Sequence, residues 1–170
     1  MVLFLELFQR LSMKELKIAI PYYKTVVLRH VVLDYNGTLA EDGVLKEEAK
    51  ALLPELTERY SVHVITSDTF GSVKAELTGF DASVKVLQSD DHTGEKEAYI
   101  DELGSVHCVA VGNGNNDRAM LKKAELGIAL VGDEGCNTQT LLSSDIVCTS
   151  IKDALMLLLN EKRLIATLRK

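Results

Sequence analysis

The chain has 170 residues, 46% of them hydrophobic and 26% charged, which suits one soluble domain with a substantial buried core. Its net charge of −6, with no dense Lys/Arg stretch before the Lys162–Lys170 tail, argues against a nucleic-acid or anionic-membrane partner but not against a small anionic substrate. Three cysteines at 108, 136 and 148 form no CxxC pair; Cys108 and Cys148 read as buried small hydrophobes, and the odd count without a disulfide pattern suits a reducing cytoplasm.

The first residues, from Met1 to Arg10, are apolar but interrupted by Glu6 and Arg10, too short for a membrane span and without the pattern of a secretory signal. Met13 is an alternative start, and residues 1–15 read as an extension whose apolar side chains would pack on the body or on another copy of the chain. From residue 16 to 170 the pattern predicts a single domain. Leu16–Ile20 and Thr25–Leu28, separated by Pro21-Tyr-Tyr-Lys24, predict an antiparallel hairpin within residues 16–29. The short apolar run His30–Asp34 predicts a fully buried strand that opens a core over residues 30–160. Lys46–Tyr60 has helical spacing, with Pro54 expected to bend or restart it.

Strands are then predicted over 62–66, 84–87, 107–111, 127–131 and 145–148. Helices are predicted over 71–78, 94–103, 116–124 and 137–142, and a last one opens at 151–159. This alternation predicts an α/β fold of three layers, a Rossmann-like parallel sheet with helices on both faces. Ligands in such sheets bind beyond the carboxyl ends of the strands, where Asp34, Thr66 and Gly112–Asn113 all fall.

Four short stretches carry candidate chemistry. In Asp34-Tyr35-Asn36-Gly37-Thr38, a strand-tip carboxylate could attack phosphorus and bind a cation, and Gly37 permits a tight turn; the plain alternative is an Asp cap before a turn. Thr66-Ser67 at the next strand end could hold a phosphate oxygen, although alone it reads as an ordinary cap. Lys96 opens a helix, where a basic side chain opposes the dipole, with Lys85 as the fallback for a phosphate-facing cation. Gly112-Asn113-Gly114-Asn115-Asn116-Asp117 is a glycine-rich polar loop after a strand.

In order and spacing these stretches resemble the four motifs of the haloacid dehalogenase (HAD) superfamily, over roughly residues 30–160. Ala124–Leu130 and Ser144–Val147 also resemble the phosphorylation domain of P-type ATPases, so the chain looks like a capless, soluble member of that subgroup. The resemblance implies Asp34 as nucleophile, Asn36, Thr66 and Lys96 as catalytic-site residues, and Gly37, Thr66, Ser67 and Lys96 around phosphate. It further implies Mg2+ held by Asp34, the position-36 carbonyl, Asn113 and Asp117, since magnesium prefers such oxygen ligands. Two positions depart from the pattern: Asn36 and Asn113 stand where the family usually has Asp. Asn36 cannot exchange a proton with the leaving group, a contribution worth about 10²–10⁴-fold, so a slow phosphohydrolase is expected.

The competing expectations are a non-catalytic phosphate- or metal-binding regulatory module and a phosphoacceptor partner of another protein. About twenty-five residues between the first and second motifs leave no room for a cap domain, which suits a large phosphorylated substrate, or a small one covered by a neighbouring copy. Both substituted asparagines precede glycine, so deamidation to Asp is a further expectation, opposed by the rigidity of a folded loop.

Overall fold

The computed structural model describes residues 14–68 and 71–170. The expected extension therefore lies outside the described residues, apart from its last two positions. Strands β1 (Leu16–Ile20) and β2 (Lys24–Leu28) form the anticipated hairpin, with Ile20 opposite Lys24 across a turn in which Tyr22 takes φ +56°. Alternate residues Ile18, Ile20, Val26 and Leu28 enter the main core, as the two-residue period of a strand requires.

Next come β3 (His30–Asp34), the short ribbon strands β4 (Ala40–Glu41) and β5 (Val44–Leu45), and helix α1 (Glu47–Arg59). They are followed by β6 (Ser61–Thr66), α2 (Ser72–Glu76), β7 (Ala82–Val86), α3 (His92–Leu103) and β8 (Cys108–Gly112). The chain ends with α4 (Arg118–Lys123), β9 (Leu126–Leu130), α5 (Thr138–Leu142), β10 (Ile146–Cys148), α6 (Ile151–Leu159) and α7 (Glu161–Leu168). Pro54 does not restart α1, which runs through it as one helix. A missing N–H at Pro54 removes one backbone bond, but buried Leu53 and Leu56 on the same helix keep it seated on the sheet.

Six strands form one parallel sheet in the order β10-β9-β8-β3-β6-β7. Along β3, Val31 and Leu33 face a core shared with α1 and α6, while Val32 faces the other way, against Ile100 of α3 and Met120 of α4. Two apolar faces on one strand explain why its sequence is a continuous hydrophobic run rather than an alternating one. The expected three-layer α/β fold is what forms.

From β3 the chain moves outward to β6 and β7, then crosses to β8 on the other side of β3. Strand order therefore reverses at the β3/β8 pair, and a crevice opens beyond their carboxyl ends. The ribbon β4–β5 was not anticipated, although its Asp42-Gly43 turn is a recognisable hairpin signal. Both turn residues have positive φ (+50° and +79°), as a primed turn requires. Asp42 N–H donates to Glu134 at 2.9 Å and Lys46 pairs with Asp133 at 2.9 Å, so the ribbon is tied to the loop after β9. Cys108 and Cys148 are buried as expected, and burial pushes their thiols up to about 12 and about 11. Among the described residues no helix is long and apolar enough to cross a membrane.

Candidate active site

The crevice is a polar pocket of about 170 Å³ lined by residues that include Asp34, Asn36, Thr66, Ser67, Lys96 and Asn113. Asp34 is the last residue of β3, so its backbone is fixed by both neighbouring strands while its side chain projects past the sheet. The turn that follows is held by Gly37 N–H to Ala40 O at 3.0 Å, and Leu39 and Ala40 are buried beneath it. Gly37 has φ +77°, and a Cβ there would run into the side-chain amide of Asn113. Only glycine lets the loop after β3 approach the loop after β8 so closely.

Lys96 is buried, although α3 begins at the surface. Asp91 caps that helix by accepting from Gly94 N–H at 2.9 Å, and Glu95 accepts from the backbone of Gln88 and Ser89. These contacts fix the first turn, and Lys96 then points inward to reach Asp34 Oδ1 at 2.7 Å and Asp117 Oδ1 at 2.6 Å. Lys85, the fallback, stands outside the pocket: it pairs with Glu95 at 3.7 Å and lies over the ring of Tyr99.

Asp117 lies wholly buried behind Lys96. Its Oδ2 accepts from Asn113 N–H at 3.0 Å and Gly114 N–H at 2.9 Å, so one carboxylate organises the whole loop after β8. With both oxygens engaged, Asp117 acts on the ammonium and the loop backbone rather than standing at the pocket wall. Asn113 donates from Nδ2 to Gly135 O at 3.1 Å.

Thr38 closes the turn after Asp34. Its hydroxyl lies 3.3 Å from Asp34 Oδ2 and 3.4 Å from Asn113 Oδ1, facing both. Thr66 is buried at the tip of β6 and accepts from Asp68 N–H at 3.0 Å, while Ser67 beside it is exposed. Gly114 and Asn116 also line the pocket, and Thr140 anchors the loop by donating to Gly114 O at 2.6 Å.

Electrostatically the site is a buried cation between two buried carboxylates. Burial raises the Asp34 carboxyl above the usual range, and the Asp117 charge adds to that, while Lys96 and the Thr38 hydroxyl pull it back. Burial alone would lower the Lys96 ammonium, but Asp34 and Asp117 hold it above its ordinary value. Among the described residues no three His, Cys, Asp or Glu side chains cluster as a metal-holding group. Asp34 Oδ2 and Asn113 Oδ1, which both face the Thr38 hydroxyl, are oxygen donors of the kind a hard cation takes.

The same architecture recurs in solved structures. One is 3-deoxy-D-manno-octulosonate 8-phosphate phosphatase from Moraxella catarrhalis, in complex with magnesium, phosphate and KDO. It matches at TM-score 0.64 and 20% identity, over 84% of this chain and 94% of that one. A Legionella pneumophila protein assigned to the HAD superfamily (subfamily III A) matches at TM-score 0.63 and 16% identity, over 82% and 87% of the two chains. The fold is that of the HAD superfamily. The cobalt-bound octulosonate 8-phosphate phosphatase of Haemophilus influenzae shares this HAD fold at TM-score 0.64 and 12% identity, over 80% of this chain and 91% of that one.

In sequence, the chain is 62% identical over 61 residues to Uncharacterized protein MJ0073 of Methanocaldococcus jannaschii, 36% of this chain and 66% of that protein. It shares 44% over 39 residues with Uncharacterized protein MJ0072 of the same organism, 23% of this chain and 89% of that protein, which places the two in one family. A zinc-transporting ATPase of Synechocystis is 28% identical over 109 residues, 61% of this chain. The HAD-fold chain thus spans just under two thirds of MJ0073 and 15% of the pump. No family model matches the chain.

Proposed function

We propose that the protein is a slow, magnesium-dependent phosphohydrolase that works through an aspartyl-phosphate on Asp34. The observation that carries this reading is the placement of the Asp34 carboxylate, 2.7 Å from the Lys96 ammonium, in a pocket shared with Thr66, Ser67 and Asn113. Asp34 Oδ2 and Asn113 Oδ1, with the carbonyl of Asn36, are the donors that would hold Mg2+. Bound there, the ion would offset phosphate charge. Asp117, the remaining member of the implied metal set, also fixes the loop and the ammonium.

In the first step an Asp34 oxygen bonds to phosphorus while the ester bond breaks and the leaving oxygen departs with its electron pair. Lys96, the Thr66 hydroxyl and loop N–H groups stabilise the charge gathering on the phosphoryl oxygens. Asn36 has no proton to give, so the leaving oxygen takes one from water. Water then attacks phosphorus, releasing phosphate and regenerating Asp34. Each step lacks the general acid or base that a second Asp would supply, which makes turnover slow and favours good leaving groups. A phosphorylated small molecule fits the pocket, and a cytoplasmic setting fits the unpaired cysteines.

Asn36 also favours a second reading, a phosphoacceptor or regulatory module that holds phosphate without releasing it. One experiment separates the two. The protein is incubated with magnesium and either an aryl phosphate or acetyl phosphate, beside Asp34→Asn. Catalytic phosphate release by the wild type and none by the variant is expected. Equal release by both would remove the enzymatic reading, and acid-stable phosphate trapped on Asp34 without turnover would establish the acceptor.

A further inference from the structure

Beside the phosphate pocket lies a second cavity of about 260 Å³, which shares Asn36 and Ser67 with it. Its walls come from the segments that follow β3 and β6. Tyr35 and Gly43 bring in the β4–β5 ribbon, and Asp68, Ser72 and Val73 bring in the start of α2. The two cavities meet at Asn36, at the lip where a departing group would leave phosphorus.

The chambers differ in charge. Lys96 faces the phosphate chamber, whereas Asp68 is the one charged side chain lining the second, among the described residues. Asp68 is anchored there: its Oδ2 accepts from Ser72 Oγ at 2.8 Å and Val73 N–H at 2.9 Å. Around it stand the Ser67 and Ser72 hydroxyls and the Asn36 amide, and the Tyr35 hydroxyl donates to Gly43 O at 3.3 Å. Such a lining offers hydrogen bonds to hydroxyl and ammonium groups and opposes a carboxylate or second phosphate, because unlike charges attract and like charges repel across a partly desolvated cavity. The volume sits at the small end of ligand pockets.

Resting on the phosphohydrolase reading, we propose that this chamber is the leaving-group subsite and selects phosphomonoesters of small alcohols that are neutral and hydroxylated or carry an amine, against those that carry a second anion. Asp68 is the specificity-determining residue. The phosphate end is held by Lys96 and the β3, β6 and β8 tips, while the alcohol end lies between the ribbon and α2. A sugar-acid phosphate, with its carboxylate, is a poor fit to this chain, although the neighbour from Moraxella catarrhalis was captured with KDO.

Three non-hydrolysable phosphonates of similar size test this by calorimetric titration with the whole chain in magnesium: 2-aminoethylphosphonate, 2-hydroxyethylphosphonate and 3-phosphonopropionate. The amine and the alcohol are expected to bind at least ten-fold tighter than the carboxylate, about 1.4 kcal/mol. Asp68→Asn should shrink the amine-to-carboxylate ratio to about three-fold or less, and Asp68→Lys should invert it. Equal or tighter binding of the carboxylate by the wild type, or a ratio unmoved in both variants, overturns the proposal. Acetyl phosphate, whose small acyl group depends little on the second chamber, reports on the parent reading. Its turnover together with failure of all three phosphonates to bind overturns the subsite alone. Absence of that turnover while the phosphonates still discriminate by charge overturns hydrolysis and keeps the subsite.

Discussion

Lys96 and Asp117 face each other 2.6 Å apart in the interior, although 21 residues separate them and neither is exposed. The contact joins α3 to the loop after β8, and the same ammonium reaches Asp34 at the tip of β3. Three elements therefore meet on one buried charge. The arrangement is held by mutual neutralisation, since two carboxylates and one ammonium out of water would each be costly alone.

Removing that ammonium should show its structural weight. Lys96→Met leaves Asp34 and Asp117 buried without their cation, and a loss of about 3–5 kcal/mol in unfolding free energy is expected. Adding Asp34→Asn to that background should recover part of the loss by removing one stranded charge. Urea unfolding of the two variants checks this; a Lys96→Met protein as stable as the wild type would contradict the buried triad.

Asn36→Asp should speed turnover. The residue is exposed at the lip between the two chambers, so a carboxyl there reaches the departing oxygen without being desolvated. An increase of about 10²-fold or more in phosphate release from an alkyl phosphate is expected, within the range that general acid–base catalysis supplies. A smaller gain should appear with acetyl phosphate, whose leaving group needs little protonation. Steady-state phosphate release on both substrates measures the difference.

Acid should destabilise the protein through His63. Its Nε2 lies 3.1 Å from His30 Nδ1 and its Nδ1 lies 2.8 Å from the Tyr99 hydroxyl, in a chain of groups beneath the sheet's α3 face. Burial, helped by His30, depresses the His63 imidazole to about 4. An unfolded histidine titrates near 6.5, so between these values the unfolded chain binds the extra proton. Stability is complete above about pH 6.5 and falls as pH drops toward 4, by at most about 3 kcal/mol from this group. His63→Gln should flatten that slope, as followed by thermal unfolding across pH 4–7.5.

Neither Asn-Gly pair should deamidate in the folded chain. The attacking nitrogens are both engaged: Gly37 N–H donates to Ala40 O at 3.0 Å, and Gly114 N–H donates to Asp117 at 2.9 Å. Succinimide formation requires that nitrogen to turn onto the Asn side chain, which would break these bonds. Intact-mass and peptide analysis of protein aged at neutral pH should find Asn36 and Asn113 unchanged, whereas urea-unfolded samples should gain about 1 Da at either site.

Much of this molecule is legible along the chain. Continuous apolar runs such as His30–Asp34 mark strands buried on both faces, and their alternation with helical segments leads to a parallel sheet. Strand-end position alone puts Asp34, Thr66 and Asn113 at one edge, because all parallel strands finish on the same side. The β4–β5 ribbon shows a weaker signal, Asp42-Gly43, that outlines a turn but not what it touches. Pro54 shows the limit of a local rule: packing of Leu53 and Leu56 kept the helix whole.

Lys96 and Lys85 illustrate what sequence could not rank. Both precede or sit within predicted elements, and either could offer an ammonium to phosphate. Tertiary structure brings Lys96 to Asp34, because the capped start of α3 aims it there, while Lys85, on an edge strand, turns to Glu95 and Tyr99. Asp117 shows the same division. The resemblance implies it as a metal ligand, while the contacts of its two oxygens, with Lys96 and with backbone N–H groups, are visible only in the folded loop. Sequence determined the fold and the chemical kinds gathered at the site, since those follow from periodicity and strand direction. Which atom meets which depends on side-chain direction and burial across distant segments, and those are set only when the chain packs.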